Sequence, residues 1–225
     1  MFPSAPRPED TVLIHIVLLG DSIFDNAAYV DGRPSVIEQL REELGASNQA
    51  TLLAVDGDST RNVLDQLARL PNDSTHLFVS AGGNDALDRS SALTMRVATV
   101  AEALNALARV TADFSHDYEQ MLQSVRAVGK PTTVCTVYDS IPGLDEMARC
   151  ALAIFNDVIL RAAFGAGLPV IDLRLLCDEV ADYSEVSPIE PSSHGGAKIA
   201  SAIAHVVKSH DYGIRRTVIY GGWDR

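Results

Sequence analysis

Short apolar runs alternate with amphipathic stretches along most of this chain. The runs are rich in β-branched residues and predict five strands, at residues 12–19, 51–55, 76–80, 131–137 and 168–173. Between them, apolar residues recur three or four positions apart, which predicts helices after Pro34 and across residues 63–70, 91–128 and 148–163. A closing helix carries Ile199, Ile203 and Val206 on one face. Such alternation of strands and helices is typical of α/β proteins.

The first apolar run has no polar alternation, so it predicts a strand buried on both faces of a parallel sheet. Right-handed crossovers between parallel strands place the connecting helices on both faces of that sheet. We therefore expect a flavodoxin-like three-layer α/β fold, with one domain spanning residues 1–225. Residues 1–10 are expected to be flexible. Residues 217–220 form a short strand-like run, but the pattern assigns no place in the fold to residues 213–225.

The composition and charge of the chain argue against several classes of function. A formal net charge of -12 and a pI near 4.8 argue against a nucleic-acid partner, which requires clustered Lys and Arg. The three cysteines have no CxxC spacing, so the sequence predicts neither a disulfide framework nor a thiolate zinc site. The N-terminal residues lack the pattern of an export signal, and no apolar run approaches about 20 residues. We expect a soluble cytoplasmic protein with no membrane span.

Polar and glycine-rich residues follow the ends of the predicted strands. Gly-Asp-Ser ends at Ser22, Asp-Gly-Asp is centred on Gly57, Gly-Gly-Asn-Asp contains Asn84, and a late loop holds Glu190 and His194. In open parallel sheets, ligands bind beyond the carboxyl ends of the strands. Together these blocks offer a hydroxyl nucleophile, amide donors and an imidazole, which are the groups that acyl transfer needs.

The order of these blocks resembles that of the SGNH or GDSL family of hydrolases. The stretch VLLGDSI is similar to the family's first block, which implies that Ser22 is the nucleophile. The resemblance further implies an oxyanion hole formed by the N–H groups of Ser22 and Gly57 and by the side-chain amide of Asn84. It implies an esterase that cleaves a small-molecule ester through an acyl-enzyme, with no metal or organic cofactor.

The family's last block, DxxH, implies that His194 is the general base. Here the residue three positions before His194 is Pro191, and Gly195 follows His194 where the family usually has Pro. The nearest carboxylate upstream is Glu190, which we take as the candidate acid that orients the imidazole. Asp182 and Glu185 are alternatives on the same loop.

Other interpretations of the same residues stay open. Ser22 and Asn84 could serve only as turn or capping residues, and His194 only as a surface residue. The altered last block also suits a catalytically degenerate member of the fold that binds a ligand without turnover. A flavodoxin-like nucleotide-binding protein shares the topology, although no GxGxxG or GxxxxGK[ST] loop is present. The loops at 24–33 and 85–91 are small and polar, which predicts a short acyl chain.

Overall fold

The computed structural model describes residues 13–222, and its core is one sheet of six parallel strands. The strand order is β2-β1-β3-β4-β5-β6. The bounds are β1 His15–Gly20, β2 Gln49–Leu52, β3 His76–Ser80, β4 Thr132–Cys135, β5 Val170–Ile171 and β6 Ile219–Tyr220. The predicted parallel α/β fold is therefore confirmed. The expected flexibility of residues 1–10 concerns a segment outside the described residues.

Strand β1 lies between β2 and β3, and every one of its residues is buried. After β1 the chain runs outward to β2 and then crosses back to the other side of β1 to form β3. This reversal makes the carboxyl ends of β1 and β3 the topological switch point of the sheet, which is where open α/β sheets bind ligands.

Helices cover both faces of the sheet. Alternate residues of β1 point to opposite faces, so Ile16 and Leu18 pack in one apolar cluster while Val17 and Leu19 pack in the other. The first cluster includes residues of α1 (Val36–Leu44), α6 (Leu173–Leu176) and α7 (Ser193–Ser209). The second includes residues of α2 (Val63–Leu67), α4 (Val100–Ala127) and α5 (Glu146–Ala166).

Three features differ from the sequence prediction. The helical region predicted across 91–128, which the pattern leaves as one helix or two, is interrupted: a 3-10 turn occupies residues 90–94, and α4 begins only at Val100, where Thr99 caps it. A short helix that the pattern did not predict, α3 (Gly83–Asp88), follows β3 directly. Residues 219–220 of the unplaced tail form β6, which pairs with β5.

The described residues contain no candidate membrane span and no disulfide. Within residues 13–222, no helix is both long and apolar enough to cross a bilayer. Cys135, Cys150 and Cys177 are free thiols, and the first and last of them are buried. This agrees with the absence of a predicted disulfide framework.

Candidate active site

A cavity of about 160 Å³ lies at the switch point of the sheet. Ser22 follows β1 and Asn84 lies in α3 after β3, and both line the cavity together with Glu190 from the late loop. The structure thus brings together three of the blocks that the sequence singled out. Gly57 and His194 are not among the residues that line it.

Ser22 lies in a tight turn at the carboxyl end of β1. The Asp21 N–H donates to the Ser80 carbonyl at 3.1 Å, and the Asp21 carboxylate accepts from the Ile23 N–H at 3.1 Å. The Phe24 N–H closes the turn on the Asp21 carbonyl, also at 3.1 Å. These bonds hold Ser22 at the wall of the cavity, where its side chain is nearly buried.

The second and third blocks are joined through an asparagine side chain. The Asn84 amide donates to the Asp58 carbonyl at 2.9 Å, which holds the loop that contains Gly57 beside α3. Gly57 has a φ of +84°, a conformation that favours glycine. The backbone N–H groups of Ser22 and Gly57 donate to no other residue among those described, so both are available to an incoming oxygen.

An acidic and basic network fixes α3 behind the cavity. Asp85 accepts from the Thr60 N–H at 2.8 Å and from the Thr60 hydroxyl at 2.7 Å. Arg89 donates to the Asp85 carbonyl at 3.0 Å and forms an ion pair with Asp117 at 3.0 Å. The helix that carries Asn84 is therefore anchored at both ends of its length.

Glu190 lies on the side of the cavity next to Ser22. Its carboxyl group lies close enough to Ser22 for hydrogen bonding to lower its pKa, and only 6% of its surface is exposed. The loop is fixed by the Ser184 N–H, which donates to the Glu190 carbonyl at 2.8 Å, and by the Asn26 amide, which donates to the Pro191 carbonyl at 3.1 Å. The sequence predicted Glu190 as a partner of His194, whereas the structure places it beside Ser22.

Burial raises the pKa of two carboxyl groups at this site. Desolvation raises the pKa of Glu190 from 4.5 to about 7, and the hydrogen bond from Ser22 opposes the rise. Desolvation also raises the pKa of Asp21 from 3.8 to about 8, and the nearby charges of Glu190 and Asp85 add to it. At neutral pH, the Asp21 side chain is therefore mostly protonated, while the Glu190 side chain is protonated in part of the molecules and ionised in the rest.

His194 lies outside the cavity, in the first turn of α7. Ser192 caps this helix by accepting from the N–H groups of His194 and Gly195, and the imidazole is 56% exposed. Its Nε2 atom lies 3.7 Å from an Asp182 oxygen and 4.0 Å from a Glu179 oxygen. No hydrogen bond or ion pair joins it to Ser22 in the part of the chain described, so the predicted serine–histidine contact is not formed in this structure.

The alternative acid Asp182 is the carboxylate that does lie near His194. Asp182 is fully buried, and the Lys198 ammonium group lies 2.8 Å from one of its oxygens and 2.9 Å from the other. Glu179 lies 3.7 Å from the same ammonium group. The carboxylate, imidazole and ammonium groups thus form an ion-pair cluster at the start of α7, in which a lysine already supplies the positive charge.

The buried Asp21 carboxyl group should make the stability of the protein depend on pH. Its pKa is raised on folding, so the stability that it supports is present below about pH 3.8 and is lost as the pH rises towards 8. We expect Asp21→Asn to be more stable relative to the wild type at pH 8 than at pH 5, because asparagine keeps an acceptor for Ile23 without a charge to bury. Urea unfolding across this range measures the difference. Asp88→Asn, at an exposed position of α3, is the control, and a difference that does not change with pH would contradict the prediction.

Most of the rest of the cavity wall is apolar. The predicted loop at 85–91 contributes to it, but the loop at 24–33 does not. Most of the wall comes instead from the turn at 90–94, from α4 and α5, and from the segment between β4 and α5. Its large apolar side chains include Ile23, Leu87, Leu93, Leu107, Val110, Val137, Ile141, Leu144, Leu152, Ile154, Phe155 and Ile189. The small, polar pocket that the sequence suggested is therefore not the cavity that Ser22 lines.

Comparison with known proteins agrees with the block order. The model of the GDSL-like lipase/acylhydrolase family matches residues 18–196, which include Ser22, Gly57, Asn84, Glu190 and His194. A search of curated proteins finds no match.

Solved structures share the fold at low identity. A lipase from a goat rumen metagenome matches with a TM-score of 0.65 and 17% identity, over 84% of this chain and 94% of the other. An extracellular lipase from Streptomyces rimosus matches with a TM-score of 0.60 and 18% identity, over 88% and 100%. A variant of an acetyl xylan esterase from Geobacillus stearothermophilus matches with a TM-score of 0.60 and 14% identity, over 87% and 96%.

Proposed function

Because the chain belongs to the GDSL-like lipase/acylhydrolase family, we propose that it hydrolyses a carboxylic ester with an apolar acyl group, using Ser22 as the nucleophile. One observation carries this proposal: Ser22 and Asn84 line the same cavity, at the switch point of the sheet, and most of the remaining wall is apolar. A hydroxyl, an amide donor and an apolar wall are the three parts that such a reaction requires.

The amide donors suit the charge that develops during attack. When the Ser22 oxygen adds to the ester carbonyl, negative charge forms on the carbonyl oxygen. The N–H groups of Ser22 and Gly57 have no other described partner, and the Asn84 side chain is held beside them. We propose that these three donors bind the oxyanion, and each donor of this kind contributes about 3 kcal/mol to transition-state stabilisation.

The apolar wall of the cavity indicates the class of ester that it binds. Structural neighbours include lipases and acetyl xylan esterases, and the wall formed by α4 and α5 favours the former kind of substrate. A buried methylene contributes about 0.8 kcal/mol, so each further methylene of a bound acyl chain should raise kcat/KM about fourfold until the cavity is filled. We therefore propose a longer acyl group than the short one that the small, polar loops predicted.

Filling the cavity should reverse the chain-length preference. Ala151 lines the cavity from α5, and we expect Ala151→Phe to lower kcat/KM for octanoate esters by at least about tenfold, with little effect on acetate esters. Ala153→Phe is the matched control, because Ala153 lies on the exposed side of the same helix. A series of p-nitrophenyl esters measures both. An equal loss for every ester, or an equal effect in the control, would contradict the assignment of this cavity.

The ester series also tests the function itself. We expect the folded wild type to release p-nitrophenol faster than a buffer blank, with kcat/KM rising along the series from acetate. Absence of turnover together with saturable binding of an apolar ester would favour the ligand-binding alternative and would overturn the proposed function.

A further inference from the structure

We propose that Glu190, rather than His194, accepts the proton of the Ser22 hydroxyl, an inference that rests on the proposed function. The two side chains line one cavity, and the Ser22 hydroxyl lies close enough to the Glu190 carboxyl group to lower the pKa of that group by hydrogen bonding. A general base must lie within hydrogen-bonding reach of the proton that it takes, and Glu190 meets this requirement.

The backbone position of Glu190 is fixed by hydrogen bonds from two other segments of the chain and from its own loop. The Asn26 amide donates to the Pro191 carbonyl at 3.1 Å, and the Tyr138 hydroxyl donates to the Ile189 carbonyl at 2.7 Å. The Ser184 N–H donates to the carbonyl of Glu190 itself at 2.8 Å. The backbone on both sides of Glu190 is thus held, which fixes the point from which its side chain extends to the cavity.

One carboxylate oxygen of Glu190 is also unaccounted for. The Oε2 atom is buried and has no hydrogen-bond partner among the described residues. A buried acceptor without a partner carries a desolvation cost that packing alone does not repay. The arrangement has a function if this oxygen takes up a proton during the reaction or accepts one from the attacking water.

The charged and titratable groups around Glu190 keep its carboxyl group basic. Asp21 and Asp56 are acidic, Tyr138 and Tyr29 are phenols, and all four interact electrostatically with Glu190. None of them is a cation. Arg89 also lines the cavity, but its guanidinium group is paired with Asp85 and Asp117. With no cation paired to it, the Glu190 carboxylate gains more from taking a proton than an exposed carboxylate does.

Glu190, Ser22 and one water molecule account for every proton transfer of the proposed reaction. Glu190 takes the proton as the Ser22 Oγ–H bond breaks and the Oγ–C bond to the ester carbonyl forms. When the tetrahedral intermediate collapses, the C–O bond of the leaving alcohol breaks and protonated Glu190 gives its proton to that oxygen. Water, deprotonated by Glu190, then attacks the acyl group on Ser22, and the acid is released as the proton returns to Ser22.

The experiment combines ester hydrolysis with fluorophosphonate labelling in the full-length protein. We expect Glu190→Gln to lower kcat/KM by about 10² to 10⁴, and to slow labelling of Ser22 similarly, because glutamine cannot accept the proton. The wild-type rate should rise with pH and level off above the pKa of about 7, and this rise should be lost in the variant. Glu190→His, which restores a base at the same position, should recover part of the rate.

His194→Gln is the matched control, since His194 lies outside the cavity and should leave rate and pH profile close to wild type. A large loss in His194→Gln with none in Glu190→Gln would overturn the proposal and return the base to His194. A wild type in which Ser22 neither labels nor turns over ester would instead overturn the proposed function. Near-wild-type unfolding in urea shows that Glu190→Gln is folded.

Discussion

Replacing Ser22 with alanine should reduce ester hydrolysis at least about a thousandfold, because the variant loses the atom that attacks the carbonyl. The oxyanion donors and the apolar wall stay in place, so binding of an uncleaved ester analogue should change little. The residual rate should come from water attacking an ester that is held beside the backbone N–H groups, which the substitution leaves unchanged. Initial rates with a p-nitrophenyl ester measure the loss.

A second hydroxyl of the cavity supplies the control. Ser90 also lines the cavity but lies after α3, away from the turn that follows β1. Ser90→Ala should keep activity close to that of the wild type. Both variants should unfold within about 1 kcal/mol of the wild type, because each loses only one hydroxyl. If Ser22→Ala retained most of the activity, the nucleophile would have to lie elsewhere.

Gly20→Ala should cost more than about 4 kcal/mol of stability, or prevent folding altogether. Gly20 ends β1 with a φ of +126°, and a Cβ at this position would overlap the Ser80 carbonyl of β3. The backbone has no room to move, since Gln66 binds both the N–H and the carbonyl of Gly20, at 2.7 and 2.8 Å. The same displacement would shift the turn that holds Ser22. Urea unfolding and ester hydrolysis measure the two effects.

Gly32→Ala separates the overlap from the backbone conformation. Gly32 also has a positive φ, +74°, but a Cβ there would meet nothing within 4 Å. This control should therefore lose only about 1–2 kcal/mol, from the left-handed conformation alone. Equal stability losses in the two variants would show that the close approach of β1 and β3 is not what requires glycine at position 20.

The sheet could be predicted from sequence because its signal is local. The run that became β1 is apolar at nearly every position, and a strand buried on both faces needs this composition. Strand β6 lies within a short strand-like run, but the run could not be placed from sequence, because the pairing of β6 with β5 is a tertiary contact. The start of α4 was misplaced for a related reason: residues 90–94 form a separate 3-10 turn that contributes apolar side chains to the cavity.

The site could be predicted only in part. Ser22 and Asn84 follow two adjacent strands, so the topology brings them together as expected. The base was assigned to His194 because the family's last block, DxxH, contains a histidine in that role. One local signal pointed elsewhere: Pro191 follows Glu190, and the family usually has Pro after its histidine. The apolar wall could not be predicted from the loops, because helices distant in sequence supply it.

Fluorophosphonate labelling of the wild type, followed by intact mass and peptide mapping, tests the central claim most directly, because the reagent reports an activated serine without a known substrate. We expect a single adduct, located on Ser22, whose formation is slowed by an apolar ester that competes for the cavity. A folded protein that forms no adduct on Ser22, or forms it on another serine, would contradict the assignment of Ser22 as the nucleophile.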